Sequence, residues 1–110
     1  MDDHPAFRAS ARLLLESQGC TVVGEAEDGT IAIERARELR PDVVVLDVQL
    51  PDLDGFEVAA RITGGEDGCA VVLTSSRDAA DFGPLVRRSG ARGFVPKADL
   101  SSAAIEALLS

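Results

Sequence analysis

Four consecutive apolar residues, Val43-Val44-Val45-Leu46, three of them β-branched, run from the turn signal Arg40-Pro41-Asp42 straight into the carboxylate of Asp47. A strand with no polar alternation is buried on both faces, which calls for a sheet covered by helices on two sides. Asp47 then closes that strand at its carboxyl end, where ligands and chemistry collect in open α/β sheets. Taken alone, an Asp in this position more often serves as a turn former or helix cap. Its neighbours have to decide between the two readings.

The rest of the chain alternates helical and strand patterns. From Pro5, which suits a first helical turn, a helix runs to a stop at Gly19 with Phe7, Ala11, Leu14 and Leu15 on one face. Residues 21–26 read as a short strand, and Glu27-Asp28-Gly29 turns into a helix over residues 30–39 that offers Ile31, Ile33, Ala36 and Leu39 for burial. After the central strand, residues 48–54 form a loop, and residues 55–62 form a helix carrying Phe56, Val58 and Ala59. Glycines in residues 64–68 mark a connection, followed by a nearly all-apolar strand over residues 70–74 that ends in a hydroxyl cluster, Thr74-Ser75-Ser76. Residues 78–89 are helical with a break expected at Gly83-Pro84, leaving a short helix over residues 85–89. Residues 93–96 make a last strand, confined to a sheet edge by Pro96, with Lys97 at its tip. Ser101 or Ser102 caps a final helix over residues 103–109.

Strands alternating with helices require an α/β fold, a parallel sheet with right-handed crossovers and helices on both faces. The strand tips then point one way and gather Asp47, Ser75 and Lys97, with the acidic pair Asp2-Asp3 beside them if it too follows a strand. At 110 residues and 45% hydrophobic, the chain supports one domain with a real core. A net charge of -8 argues against direct binding to nucleic acid or an anionic membrane, and an acidic cluster favours a cation instead. Cys20 and Cys69 lack metal-ligand spacing, and nothing at the start resembles a signal peptide, so the expected compartment is the reducing cytoplasm. No apolar run approaches the ~20 residues a membrane span needs.

In this order and spacing, Asp2-Asp3, the run Val-Val-Leu-Asp-Val-Gln-Leu-Pro-Asp-Leu-Asp-Gly around Asp47, Leu73-Thr74-Ser75-Ser76 and Phe94-Val95-Pro96-Lys97 form a specific set. The chain resembles the receiver domains of two-component response regulators (CheY-like). Its Asp-His-Pro start and Ser-Gly-Ala-Arg-Gly-Phe segment are most similar to LuxR-type regulators. The resemblance covers essentially the whole chain and implies a flavodoxin-like, doubly wound parallel sheet of strand order 2-1-3-4-5. It also implies a phosphoacceptor, Asp47, taking phosphate from a histidine kinase with Mg²⁺ as cofactor. Asp3 and Asp47 would ligate the metal directly, Asp2 mainly through water, and Gln49 through its main-chain carbonyl. Ser75 and Lys97 would contact the phosphoryl oxygens. Ser75 and Phe94 would be the switch, acting on a face made by the fourth helix, the last strand and the last helix, through which the chain could form a homodimer. No nucleic acid or membrane contact is implied for this domain, nor enzymatic activity in the strict sense.

Residue types support that chemistry. An aspartate attacking a phosphoryl group brings an anion to an anion, so cations must offset the repulsion. Clustered carboxylates suit a hard, water-retaining ion such as Mg²⁺. Lys97 is the only lysine among eleven basic residues, in a chain that otherwise uses Arg. Phe94 reads by default as a core or edge aromatic, and His4 as a solvated residue near the first cap.

Two departures stand out. Pro96 precedes Lys97 and Ala98 follows it, where many receivers have a proline after the lysine. Only Met1 precedes the acidic pair, so the first strand of the 2-1-3-4-5 order is absent from the chain, and its two neighbours would lie about 10 Å apart, too far to pair. Missing upstream residues, another chain in the slot, or a truncated domain would each account for it. A receiver-like interaction module that is never phosphorylated stays open as an alternative. An aspartyl-phosphate hydrolase of the haloacid dehalogenase type would need an Asp where Gln49 stands. A flavin module would need a hydroxyl-rich phosphate loop in place of Asp2-Asp3-His4-Pro5.

Overall fold

The computed structural model describes residues 1–64, 69–75 and 83–109. Helices α1 (Pro5–Ser17) and α2 (Gly29–Leu39) precede strand β1 (Val43–Asp47), followed by α3 (Gly55–Thr63), β2 (Ala70–Ser75), α4 (Gly83–Arg88), β3 (Gly93–Pro96) and α5 (Ser102–Leu109). The strands form a parallel sheet in the order β1-β2-β3, with Asp47 opposite Thr74 and Ser75 opposite Pro96. These are strands 3, 4 and 5 of the flavodoxin-like order. β3 is an edge, as its proline requires.

Alternation along the strands divides the core. Val44, Leu46, Val71 and Leu73 face one side, with Ala32, Ile33 and Ala36 of α2 and Val58, Ala59 and Ile62 of α3. Val43, Val45, Val72 and Val95 face the other, with Phe7, Ala11 and Leu15 of α1 and Ile105 of α5. Helices on both faces explain why the strands are apolar throughout. Two helix faces differ from the expected ones. Leu14 and Leu39 remain more than a third exposed, whereas Ala32 is fully buried, because a small residue lets α2 pack closely against its neighbours.

Residues 21–26, read as a strand, form none. A strand exists only where neighbours take its backbone groups, and among the described residues one such bond reaches this stretch, from the Asp2 N–H to the Ala26 carbonyl at 2.9 Å. Gly83 and Pro84 lie within the described helix α4, where the expected short helix covered residues 85–89. The earlier part of that expected helix, residues 78–82, lies outside the described residues, as do Ser76 and residues 65–68. Ser101, not Ser102, caps α5, its hydroxyl accepting the Ala104 N–H at 3.0 Å.

Candidate functional site

The site forms at the carboxyl ends of β1, β2 and β3. Asp47 ends β1 and is buried. Its Oδ1 accepts the Gln49 N–H at 2.9 Å, and its Oδ2 lies 2.9 Å from Lys97 Nζ. The backbone beneath it is held by the Asp47 N–H to the Met1 carbonyl and the Val48 N–H to the Thr74 carbonyl, both at 3.0 Å. Gly55 packs against this tip so closely that a Cβ there would collide with the Asp47 carbonyl and Val48 Cα. Only glycine leaves that path open.

Asp2 is also buried. Its Oδ1 accepts the His4 N–H at 2.7 Å and its Oδ2 pairs with Lys97 Nζ at 2.6 Å, outside hydrogen-bond geometry. Lys97 follows β3 and opens a short 3₁₀ turn, Lys97–Asp99, which aims the amine back between the two carboxylates. Its Nζ also sits 4.3 Å from the centre of the Phe7 ring, a cation–π contact from α1. Ser75 is buried at the end of β2, level with Pro96. Asp3 is exposed, with Oδ1 3.0 Å from His4 Nδ1. Phe94 packs against the α2–α3 side of the core. Gln49 is exposed and bridges to Asp54.

Burial raises the Asp47 carboxyl above its ordinary range, and the neighbouring Asp2 raises it further. Burial works against the Asp2 charge as well, but the adjoining Asp47 carboxyl, the charge of Lys97 and the His4 N–H hold Asp2 below the usual range. Burial also opposes the Lys97 charge, yet Asp2 and Asp47 together raise its pKa.

Asp2, Asp3, His4 and Asp47 each offer a ligand atom, all within 4.8 Å of one another. Carboxylate oxygens dominate the set, and the buried Asp2 Oδ2 has no hydrogen bond, so the residues fit a hard divalent cation. His4 corrects an expectation in part. Its side chain is mostly exposed, but Nδ1 touches both Asp2 and Asp3 at 3.0 Å. Sequence reasoning missed two further contributors. Phe7 was legible only as a helix-face aromatic, and nothing in the sequence marked Arg8, whose Nη1 donates to the Asp2 carbonyl at 2.6 Å.

The family model described as the response regulator receiver domain matches residues 1–108. The transcriptional regulatory protein NarL of Mycobacterium tuberculosis (strain ATCC 25618 / H37Rv) is 38% identical over 109 residues, 98% of this chain and 50% of that protein. Response regulator GacA of Pseudomonas viridiflava is 33% identical over 98 residues, 88% of this chain and 46% of that protein. The chain spans about half the length of these relatives. Among solved structures, the signal receiver domain of the Mycobacterium tuberculosis NarL superposes with TM-score 0.87 at 34% identity, covering 99% of this chain and 92% of that one. A LuxR-family two-component response regulator from Aurantimonas sp. SI85-9A1 superposes with TM-score 0.88 at 34% identity, covering 98% and 80%.

Proposed function

The chain belongs to the response regulator receiver domain family of two-component systems, and from that premise we propose that Asp47 accepts a phosphoryl group from a histidine kinase. The observation that carries the reading is the placing of Asp47 at a strand tip, 2.9 Å from Lys97 Nζ and beside the carboxylates of Asp2 and Asp3. A carboxylate oxygen of Asp47 forms the new bond to phosphorus as the bond from phosphorus to the donor's nitrogen or oxygen breaks. Asp2, Asp3, Asp47 and the main-chain carbonyl of Gln49 would hold Mg²⁺, which when bound offsets negative charge on the phosphoryl oxygens. Lys97 then leaves Asp47 for one phosphoryl oxygen as a mobile point charge, and the Ser75 hydroxyl donates to another.

The output proposed for this switch is a change of surface. Ser75, drawn toward the phosphoryl group, would free space that the Phe94 ring fills, altering the face built from α4, β3 and α5, through which two copies could pair. Named relatives are transcriptional and response regulators, which supports a regulatory rather than an enzymatic role. Among the described residues no helix is long and apolar enough to cross a membrane.

Acetyl phosphate with Mg²⁺ should add one phosphoryl group to the chain, mapped by mass spectrometry to the peptide containing Asp47 and absent from Asp47→Asn. A label on another residue would remove Asp47 as the acceptor. No label at any Mg²⁺ concentration would favour the interaction module that is never phosphorylated.

A further inference from the structure

His4 stands outside the oxygen ligands proposed above, yet its ring nitrogen Nδ1 lies 3.0 Å from Asp2 Oδ1 and 3.0 Å from Asp3 Oδ1. The backbone brings it there. His4 occupies the N-cap of α1 in an extended conformation, its side chain makes no capping hydrogen bond, and its N–H is held by Asp2 Oδ1 at 2.7 Å. Beneath it Asp2 is 1% exposed, and its Oδ2, though 2.6 Å from Lys97 Nζ, has no hydrogen bond. These separations suit a single ion. At a metal–ligand distance of about 2.1 Å, adjacent ligands of an octahedron stand about 3.0 Å apart and opposite ones about 4.2 Å. The two His4 distances match the first spacing, and the ligand atoms of Asp2, Asp3, His4 and Asp47, all within 4.8 Å of one another, come close to the second.

On the reading of Asp3 and Asp47 as ligands given above, we propose that His4 joins them through Nδ1 and turns the site toward divalent first-row transition ions, in preference to Mg²⁺. The reason is ligand type. Carboxylate and carbonyl oxygens serve both kinds of ion, whereas an imidazole nitrogen favours the transition ion. Mg²⁺ gives up its waters reluctantly and keeps one where the ring would bind. The His4 side chain is 67% exposed, so the ring can meet an ion from the solvent side without disturbing the core. Ligation through Nδ1 leaves the ring hydrogen on Nε2. His4 thereby acts as a specificity-determining residue, adding to the affinity for one class of cation and little to that for the other.

Co²⁺ and Mg²⁺, each alone, are titrated into the 110-residue chain, His4→Ala and Asp47→Ala. His4→Ala should weaken Co²⁺ binding about tenfold and Mg²⁺ binding by less than about threefold. His4 is the only histidine in the chain, so the Co²⁺ complex should also show a single ring N–H proton resonance with a large paramagnetic shift. That resonance is read in the unsubstituted chain and does not depend on how a variant folds. A Co²⁺ complex without it would overturn the proposal, as would a His4→Ala chain that loses both ions equally or neither. In each of those cases, weakened binding of both ions by Asp47→Ala would keep the metal site and leave His4 as a hydrogen-bonding neighbour. Asp47→Ala binding both ions as tightly as the unsubstituted chain would overturn the metal site and the role of His4 together. None of these readouts depends on phosphorylation.

Discussion

Lys97 lies 2.6 Å from one buried carboxylate and 2.9 Å from another, and its amine is the charge that lets Asp2 and Asp47 share a small space. Removing one member of a buried ion group leaves uncompensated charge behind. Lys97→Met should therefore lower stability by about 3 kcal/mol in a chelator, the modest end of the usual range because the amine is partly open to water. Added Mg²⁺ should recover most of that loss. Urea unfolding with and without Mg²⁺ checks both halves, and an unchanged midpoint in chelator would mean that solvent, not Lys97, neutralises the pair. Asp52 shows the opposite situation, an exposed carboxylate doing structural work. The Thr30 hydroxyl at 2.6 Å, with the Gly29 and Thr30 N–H groups at 2.7 and 3.0 Å, holds its carboxyl down to about 2 from an ordinary 3.8 and ties the 48–54 loop to the start of α2. A carboxyl with a lowered folded-state pKa stabilises fully above its unfolded pKa and loses that contribution as pH falls toward the folded value. The stability gap between wild type and Asp52→Ala should thus be constant above about pH 5 and close between pH 3.8 and about 2. A gap that persisted at low pH would indicate lost packing rather than lost charge. Asp47, Ser75 and Lys97 were legible in the sequence because each follows an apolar run. Phe7, Arg8 and Asp52 were not, because their partners are set by how helices cross the sheet.

At the scale of elements, the β1–α3 connection is built around Gly55, whose N–H donates to the Val48 carbonyl at 3.0 Å while its Cα lies against the Asp47–Val48 backbone. Gly55→Ala should cost about 1–3 kcal/mol, as overpacking does in a tightly filled place, and should slow acetyl phosphate labelling because the acceptor's backbone must shift. Thermal unfolding together with the labelling rate checks this; a stable variant labelled at the wild-type rate would show that the connection can relax without moving Asp47. Helices were largely legible in the sequence, since a 3.6-residue period and local caps depend on near neighbours: Asp28 accepts the Ile31 N–H at 2.9 Å and Asp54 the Phe56 N–H at 2.7 Å. Strands were legible only as candidates. Residues 43–47, 70–75 and 93–96 found neighbours, whereas residues 21–26 have the same β-branched character without one beside them. Sequence pattern marks what could enter a sheet, and pairing decides what does.

For the whole molecule, the two apolar clusters on opposite faces of the sheet agree with the doubly wound architecture implied by unbroken apolar strands. The parallel sheet and strand tips that point one way could be read from alternation alone, but the space beside β1 lined by residues 21–25 could not, because it depends on how distant segments pack. Global stability should couple to the site through the metal. A ligand that binds only the folded chain at a hundred times its Kd adds about 2.7 kcal/mol. Urea titrations across a Mg²⁺ series should trace that curve for wild type and flatten for Asp3→Ala; identical curves would remove Asp3 from the metal site. The solitary lysine has one more consequence. Because Lys97 is the only lysine and sits inside the site, selective ¹⁵N labelling of lysine would give a single side-chain resonance that needs no assignment. The Phe7 ring current at 4.3 Å would shift that resonance as long as the amine stays between Asp2 and Asp47, and metal or phosphate would move it away. The chain carries its own spectroscopic reporter of which cation holds the centre of the site.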